Sequence, residues 1–111
     1  MLKINTTQRD SATILDIFGE VDLYSSPEVR SALLQLVEAE TAVIVVNLNN
    51  VTYIDSSGIA TLVEGLQEME KYSGKLKLTN LRDAVRNVFE LSSLDKVFEI
   101  HDTLEEALNG V

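Results

Sequence analysis

Two adjacent serines are the best-placed reactive side chains in this sequence. Ser56 and Ser57 follow Asp55 at the end of a strand-like run, Val51–Ile54, and Gly58 and a helical pattern come next. A hydroxyl at the start of a helix lies close to backbone N–H groups and to the positive end of the helix dipole, both of which favour an anion. Such a serine can accept a phosphate, or it can simply cap the helix.

Other catalytic chemistry has few candidate residues. A serine nucleophile needs a base, and the only histidine is His101, far along the chain. The chain has no cysteine, its carboxylates are dispersed rather than clustered as metal ligands, and its glycines stand apart rather than in a phosphate-binding loop. We therefore expect a protein that is not an enzyme and that needs no cofactor and no metal.

A phosphate-accepting aspartate is the main alternative to a phosphate-accepting serine. Asp55 ends a strand, as the acceptor of a response-regulator receiver domain does. That chemistry needs a divalent metal held by an acidic pair after the first strand. Here the strand-like run Thr13–Phe18 leads into Gly19–Asp22, which has no adjacent acids. A receiver domain would also leave the two serines without a role, so we discount this alternative.

Length and composition predict one folded domain. The 111 residues, 45% of them apolar, suffice for one domain, residues 1–111, with its own core. The absence of cysteine fits a reducing compartment. The first residues show no apolar core of a signal peptide, and no run approaches the roughly 20 apolar residues of a membrane span. We expect a cytoplasmic protein.

The charge of the chain limits its partners. Eighteen acidic and nine basic side chains give a formal net charge of −9. Such a chain repels nucleic acid and anionic membranes, so we expect it to bind neither. A large partner would present a basic surface, unless the charge serves only to keep the protein soluble.

Strand-like runs recur along the chain. Thr13–Phe18 and Ala42–Val46 are apolar enough for strands that are buried on both faces. Strict alternation in Lys75–Thr79 predicts a strand with one solvent-facing side. Val97–Ile100 is a short candidate for an edge strand, and Leu2–Gln8 is a weaker one.

Four helical patterns lie between and after these runs. The first begins with Ser26 as its cap and Pro27 at the first helical position. The second follows Gly58, and the fourth runs from a capping box at Thr103 to Gly110. The apolar positions of the first three are Val29, Ala32, Leu33, Leu36 and Val37; Ile59, Leu62, Val63 and Leu66; and Val85, Val88 and Phe89. Helices between strands imply crossovers, so we predict an α/β fold with a mixed sheet of roughly four to five strands and about four helices.

Two motifs at this separation resemble a known family. Gly19–Asp22 reads Gly-Glu-Val-Asp, and Asp55–Ile59 reads Asp-Ser-Ser-Gly-Ile after the next strand. Together they resemble the STAS domain of bacterial anti-sigma factor antagonists. The resemblance extends over nearly the whole chain and includes Tyr24–Pro27 and Leu91–Leu94. One departure is Ala60, where many relatives have a second glycine, and we expect it to alter local packing.

The resemblance implies a partner switch in which this protein is a substrate and a ligand. In that family the first serine after the aspartate is phosphorylated, which corresponds to Ser56. The unphosphorylated antagonist binds a serine kinase that is also an anti-sigma factor, and the sigma factor is released. The kinase, using ATP and magnesium, then phosphorylates the antagonist and dissociates, and a serine phosphatase resets the cycle.

The partner-binding residues expected from this resemblance surround Ser56. Ser57 is expected to cap the second helix, and Tyr24 is either an exposed contact or a half-buried ring. A phosphate on Ser56 would lie beside Asp55, and beside Asp22 if the turn that holds it lies nearby. We expect a monomer or a weak dimer. The complete set is Asp22, Tyr24, Ser25, Asp55, Ser56, Ser57, Gly58, Ile59 and Leu62.

Two other functions stay open. Some STAS domains are subunits of lipid-transport ABC complexes, and they bind the ATPase without being switched by phosphate. A domain of this kind could also sense a small molecule such as a nucleotide, although the lack of a glycine-rich loop disfavours this function.

Overall fold

The computed structural model describes residues 2–111 and contains one five-stranded sheet. Its strands lie side by side in chain order: β1 (Lys3–Arg9), β2 (Ala12–Val21), β3 (Val43–Ile54), β4 (Lys75–Thr79) and β5 (Glu99–His101). β1 is antiparallel to β2, and the remaining pairs are parallel. The predicted mixed sheet and α/β class are therefore confirmed.

Each parallel connection carries one helix. These helices are α1 (Ser26–Glu38), α2 (Ser56–Glu70) and α3 (Asp83–Leu91), and a short helix, α4 (Leu104–Leu108), follows β5. Since a strand-to-strand connection in a parallel sheet has to cross one of its faces, the alternation of strands and helices read from the sequence corresponds directly to this topology. Within residues 2–111 no helix is long and apolar enough to cross a membrane.

The two faces of the sheet are covered unequally. α1, α2 and α3 pack over one face, on a core that includes Leu15, Val46 and Leu78. Only α4 covers the other face, where it packs on a smaller cluster that includes Ile14 and Val45. Because both faces are covered near these residues, the apolar runs in β2 and β3 are buried on both sides, as their composition predicted.

The strands are longer than their most apolar segments. β2 continues past Phe18 to Val21, and β3 continues past Val46 to Ile54. The predicted edge strand begins two residues later and ends one residue later than expected, at Glu99–His101. The extensions matter for function, because they carry both chain segments to the same end of the sheet.

β4 differs from its prediction in burial. Its bounds are those predicted, but the four residues after Lys75 are all buried, so the strand has no solvent-facing side. The Lys77 ammonium donates a hydrogen bond to the Ala107 carbonyl at 2.9 Å and lies 3.3 Å from the Glu99 carboxylate. Alternation shows which residues share a face, but it does not show that α4 covers that face.

Two serines at the start of α1 have roles other than those predicted. Ser25, not Ser26, is the N-cap residue, and its side chain makes no capping hydrogen bond. Ser26 lies in the first turn and is buried. At α4 the capping prediction is confirmed, because the Thr103 hydroxyl accepts a hydrogen bond from the Glu106 N–H at 3.1 Å.

The start of α2 also differs from its prediction. The helix begins at Ser56 rather than after Gly58, so both serines lie inside its first turn. The cap is the Asp55 carboxylate and not the Ser57 hydroxyl. Asp is as good an N-cap as Ser, and the sequence offered both in adjacent positions.

Candidate functional site

Two loops meet beyond the carboxyl ends of β2 and β3. The last residues of these strands, Val21 and Ile54, are paired in the sheet, so the chain leaves both strands side by side. The Asp55 N–H donates a hydrogen bond to the Val21 carbonyl at 3.1 Å, which joins the two loops at their base. In open α/β sheets, binding sites lie preferentially beyond this edge.

The Asp55 carboxylate connects the two loops. One oxygen accepts hydrogen bonds from the N–H groups of Ser57 at 2.9 Å and Gly58 at 3.2 Å. The other oxygen accepts a hydrogen bond from the N–H of Leu23, in the loop before α1, at 3.2 Å. A single side chain thus caps α2 and fixes the neighbouring loop against it.

Asp22 organises the loop before α1 in a similar way. One of its carboxylate oxygens accepts hydrogen bonds from the N–H groups of Tyr24 and Ser25, each at 3.0 Å. The Ser25 hydroxyl accepts from the Asp22 N–H at 2.9 Å and donates to the Glu20 carbonyl at 2.7 Å. The Ser25 backbone N–H is the main cause that lowers the pKa of Asp22, with smaller contributions from the Ser25 hydroxyl and the Tyr24 N–H. Asp22 and Ser25 therefore shape the loop.

Ser56 is the accessible hydroxyl of the pair. It is exposed at the first residue of α2, and its hydroxyl makes no hydrogen bond to any side chain or backbone group in residues 2–111. Ser57 is half-buried, and its carbonyl accepts a hydrogen bond from the Thr61 hydroxyl at 3.0 Å. Because Asp55 already uses the N–H groups of Ser57 and Gly58, those groups are not free to hold a phosphate. The helix dipole remains available to one.

Gly58 allows α2 to approach the sheet closely. A Cβ at this position would lie 2.6 Å from the Cγ1 of Ile54 and 2.9 Å from the carbonyl oxygen of Val21. Gly58 is buried within the first turn of the helix. It is therefore a packing residue and does not form a partner contact.

The α2 residues predicted to contact a partner divide by burial. Leu62 is 1% exposed and belongs to the core, so its prediction as a partner contact is wrong. Ile59 is half-buried and packs against the same core. Ala60 is exposed, so the methyl group that replaces the family's second glycine does not disturb the packing under the helix. The helical period indicates which side of α2 faces the sheet. Leu62 lies on that side and is too deeply buried to contact a partner.

Three large apolar side chains are exposed on the two loops and the adjoining strand. Tyr24 is 89% exposed, which decides between the two alternatives left open by the sequence, and Leu23 and Tyr53 are 64% and 50% exposed. Leu23 and Tyr53 were missed by sequence reasoning. For Leu23, the available signal in the sequence was an apolar residue within the polar loop Asp-Leu-Tyr-Ser. For Tyr53, it was the alternation along the strand, which points Tyr53 away from the core if Ile54 points into it. Exposed aromatic side chains such as Tyr24 and Tyr53 are enriched at protein interfaces.

Comparison with known proteins agrees with this arrangement. A family model described as the STAS domain matches residues 3–107. The chain belongs to the STAS domain family. Its relatives include the anti-sigma-B factor antagonist of Staphylococcus aureus strain NCTC 8325 / PS 47, which is 30% identical over 104 residues, or 94% of this chain and 96% of that protein. The resemblance inferred from the two motifs is confirmed.

Solved structures show the same fold for this STAS domain. An anti-sigma factor antagonist from Mycobacterium paratuberculosis superposes with a TM-score of 0.92 at 24% identity, covering 100% of this chain and 94% of that one. The phosphorylated form of the Bacillus cell fate determinant SpoIIAA superposes with a TM-score of 0.75 at 23% identity, covering 96% and 97%. At these identities the two likenesses concern the fold alone.

Carboxylates dominate the surface beside the loop of this STAS domain. A cleft of about 270 Å³ opens next to Tyr24 and contains three acidic side chains. Asp55 adds a further charge at the start of α2. The lining of the cleft is Leu2, Glu20, Asp22, Tyr24, Ser25 and Glu28.

Among the residues that the structure describes, the histidine lies away from Ser56. His101 lies on β5, two strands from β3 in the sheet, and its Nε2 is 2.7 Å from the Glu99 carboxylate. In the part of the chain that the structure describes, no group of three or more His, Cys, Asp or Glu side chains is placed to hold a metal ion. The site therefore presents a surface with one exposed serine hydroxyl, that of Ser56.

Proposed function

We propose that this STAS domain is a cytoplasmic anti-sigma factor antagonist that is switched by a phosphate on Ser56. The observation that carries the proposal is the division of roles at the start of α2. Ser56 is exposed and its hydroxyl is unbonded, whereas Asp55, Ser57 and Gly58 are committed to capping and packing the helix. The class of partner follows from the relative in Staphylococcus aureus, which is an anti-sigma-B factor antagonist.

The unphosphorylated form binds an anti-sigma factor serine kinase through the loops around Ser56. Leu23, Tyr24 and Tyr53 provide exposed apolar area, and exposed aromatic rings are favoured at interfaces because they bury a large area at low entropic cost. The carboxylates beside them favour a partner with a basic rim. Binding of the kinase to this surface releases the sigma factor.

A phosphate on Ser56 reverses this binding through charge. It adds about −1.5 to −2 charges beside Asp55 and near Asp22. The Asp55 carboxylate already occupies the N–H groups of Ser57 and Gly58, so only the helix dipole compensates locally, by about 0.3–1 kcal/mol. A partner surface that fits a neutral hydroxyl then meets an anion whose charge is only partly compensated. A loss of about 1.4 kcal/mol lowers its affinity tenfold.

Phosphorylation leaves the fold unchanged in this mechanism. The Ser56 hydroxyl makes no hydrogen bond that the phosphate would break, and the cap of α2 is supplied by Asp55. ATP and magnesium belong to the kinase, and a separate serine phosphatase returns the hydroxyl. The STAS domain itself performs no chemistry.

The direct test is phosphorylation by the serine kinase encoded in the same genome. The protein is incubated with that kinase and ATP, and intact mass and peptide maps are recorded. We expect one phosphate, on Ser56, with none on the Ser56→Ala variant and an unchanged amount on the Ser57→Ala variant. Phosphate on another residue would refute the site. Stable co-purification with a transporter ATPase, with Ser56 unmodified, would instead support the lipid-transport function.

A further inference from the structure

Asn109 and Gly110 form the one Asn-Gly dipeptide of the chain and lie directly after α4. We propose that Asn109 is a site of spontaneous deamidation, and that the isoaspartate formed there loosens α4 from the sheet. This inference is independent of the proposed function, because it concerns the opposite face of the sheet from the one that α1, α2 and α3 cover.

The reaction needs only water. The Gly110 backbone nitrogen, after losing its proton to solvent hydroxide, attacks the side-chain amide carbon of Asn109. A new N–C bond closes a succinimide ring, the bond from that carbon to the amide nitrogen breaks, and ammonia leaves with a proton from water. Water then opens the ring at either carbonyl. Opening at one carbonyl gives aspartate, and opening at the other gives isoaspartate, in which the backbone runs through the side chain.

Asn109 and Gly110 are both exposed, which leaves the Asn109 side chain accessible to this attack. At the observed ψ of 123° for Asn109, the Gly110 nitrogen points away from the side-chain amide, so the ring closes only after the peptide group rotates. The Gly110 N–H makes no hydrogen bond in residues 2–111, so it is free to react. A Cβ on Gly110 would meet no atom within 4 Å, and glycine lets the peptide rotate into the attacking geometry.

The other asparagines lack this combination. They are followed by side-chain-bearing residues that crowd the attacking nitrogen, and all but one of them lie inside strands or helices, which restrict rotation of the peptide. Asn80 is the useful comparison, because it lies outside the strands and helices but precedes the bulky Leu81, and its amide donates to the Asn47 side chain at 3.0 Å. The remaining ones are Asn5, Asn47, Asn49, Asn50 and Asn87.

Isoaspartate at this position would affect how α4 is held. The turn after the helix is closed by a hydrogen bond from the Val111 N–H to the Leu108 carbonyl at 3.1 Å. Val111 packs against the small apolar cluster that α4 forms with Ala12, Ile14 and Val45. One extra backbone carbon at residue 109 lengthens the segment between Leu108 and Val111. It therefore breaks that turn and withdraws Val111 from the cluster.

The chemistry can be followed in single tryptic peptides. Cleavage after Lys96 yields Val97–Val111, whose only asparagine is Asn109, and cleavage after Lys77 and Arg82 yields Leu78–Arg82, whose only asparagine is Asn80. The purified protein is aged at mildly alkaline pH, and both peptides are followed by mass and by labelling with an isoaspartyl methyltransferase. In Val97–Val111 we expect the asparagine amide to be converted to a carboxyl group, a net replacement of NH by O, and the peptide to become labelled. The rate of this conversion should be at least about tenfold higher than in Leu78–Arg82. Equal rates, or no conversion of Val97–Val111, would overturn the site.

The effect on α4 is tested by thermal denaturation of five samples: fresh and aged wild type, fresh and aged Asn109→Gln, and fresh Asn109→Asp. We expect aged wild type to melt at a lower temperature than fresh wild type, whereas aged Asn109→Gln, which reacts far more slowly, keeps its melting temperature. Fresh Asn109→Asp carries the same added charge without the longer backbone, and we expect it to melt like fresh wild type. If Asn109→Asp melts as low as aged wild type, or if aged wild type is converted without any loss, the loosening of α4 is refuted.

Discussion

At the scale of single residues, the two aspartates of the motifs act mainly on their own chain. Asp55 accepts three backbone hydrogen bonds that tie α2 to the loop before α1, and Asp22 accepts two within that loop. The sequence predicted both aspartates near the site, but it did not show that they accept hydrogen bonds from the backbone of their own chain. The bond from Leu23 to Asp55 joins residues 32 positions apart, and its existence depends on the pairing of β2 and β3.

The capping role of Asp55 gives a stability prediction. Asp55→Ala removes the N-cap of α2 and should lower the free energy of unfolding by about 0.5–2 kcal/mol, measured by urea denaturation. Ser57→Ala is the matched control, and it should change stability by less than about 0.5 kcal/mol because its hydroxyl caps nothing. A larger loss for Ser57→Ala than for Asp55→Ala would restore Ser57 as the cap.

Asp22 gives a prediction about pH. Its pKa in the folded protein lies below the ordinary value of 3.8, chiefly because of the Ser25 backbone N–H. A carboxyl with a lowered folded-state pKa contributes stability above its unfolded-state pKa, and that contribution is lost as the pH falls through the folded-state pKa. Wild type should therefore melt above Asp22→Asn at neutral pH. The difference should shrink once the pH falls below 3.8, and a constant difference across this range would contradict the assignment.

At the scale of secondary-structure elements, the sequence predicted helix starts reliably where they depend on neighbouring residues in the chain. Pro27 marked the first turn of α1, and the capping box at Thr103 marked the start of α4. Burial was harder to predict, because it depends on what packs on top of an element. Lys77 looked like an outward residue of an alternating strand, and the five-residue α4 covers it. Leu62 looked like a possible contact, but it lies on the buried side of α2, in the core.

The contact between α2 and the strands predicts the effect of replacing Gly58. Gly58→Ala gains about 1 kcal/mol of helix propensity, but its methyl group would meet the backbone of Val21 as well as Ile54. Overpacking of this kind costs about 1–3 kcal/mol, so we expect a net loss of stability in urea denaturation. Ala60→Gly is the control on the exposed side of the helix, and it should cost about 1 kcal/mol through propensity alone. A stabilised Gly58→Ala would show that the helix has room to move.

At the scale of the whole molecule, the fold places the exposed Ser56 hydroxyl at one end of the sheet, outside the core. β2 and β3 bring both motifs to one end of the sheet, and the core lies behind them under α1, α2 and α3. Leu23 and Tyr24 are exposed on the loop before α1, Tyr53 is exposed near the end of β3, and Ser56 is exposed at the start of α2. In the proposed mechanism, a phosphate on Ser56 changes the surface that a partner meets and leaves the core intact.

The most direct measurement compares the affinity of the serine kinase for three forms of the protein. These are the unmodified protein, the protein phosphorylated on Ser56, and the Ser56→Asp variant, with the thermal melting temperature of each recorded in parallel. The account predicts that both charged forms bind at least about tenfold more weakly, a loss of about 1.4 kcal/mol or more, while their melting temperatures stay close to that of the unmodified protein. Equal affinities of the three forms, or a loss of affinity accompanied by a loss of folding, would contradict it.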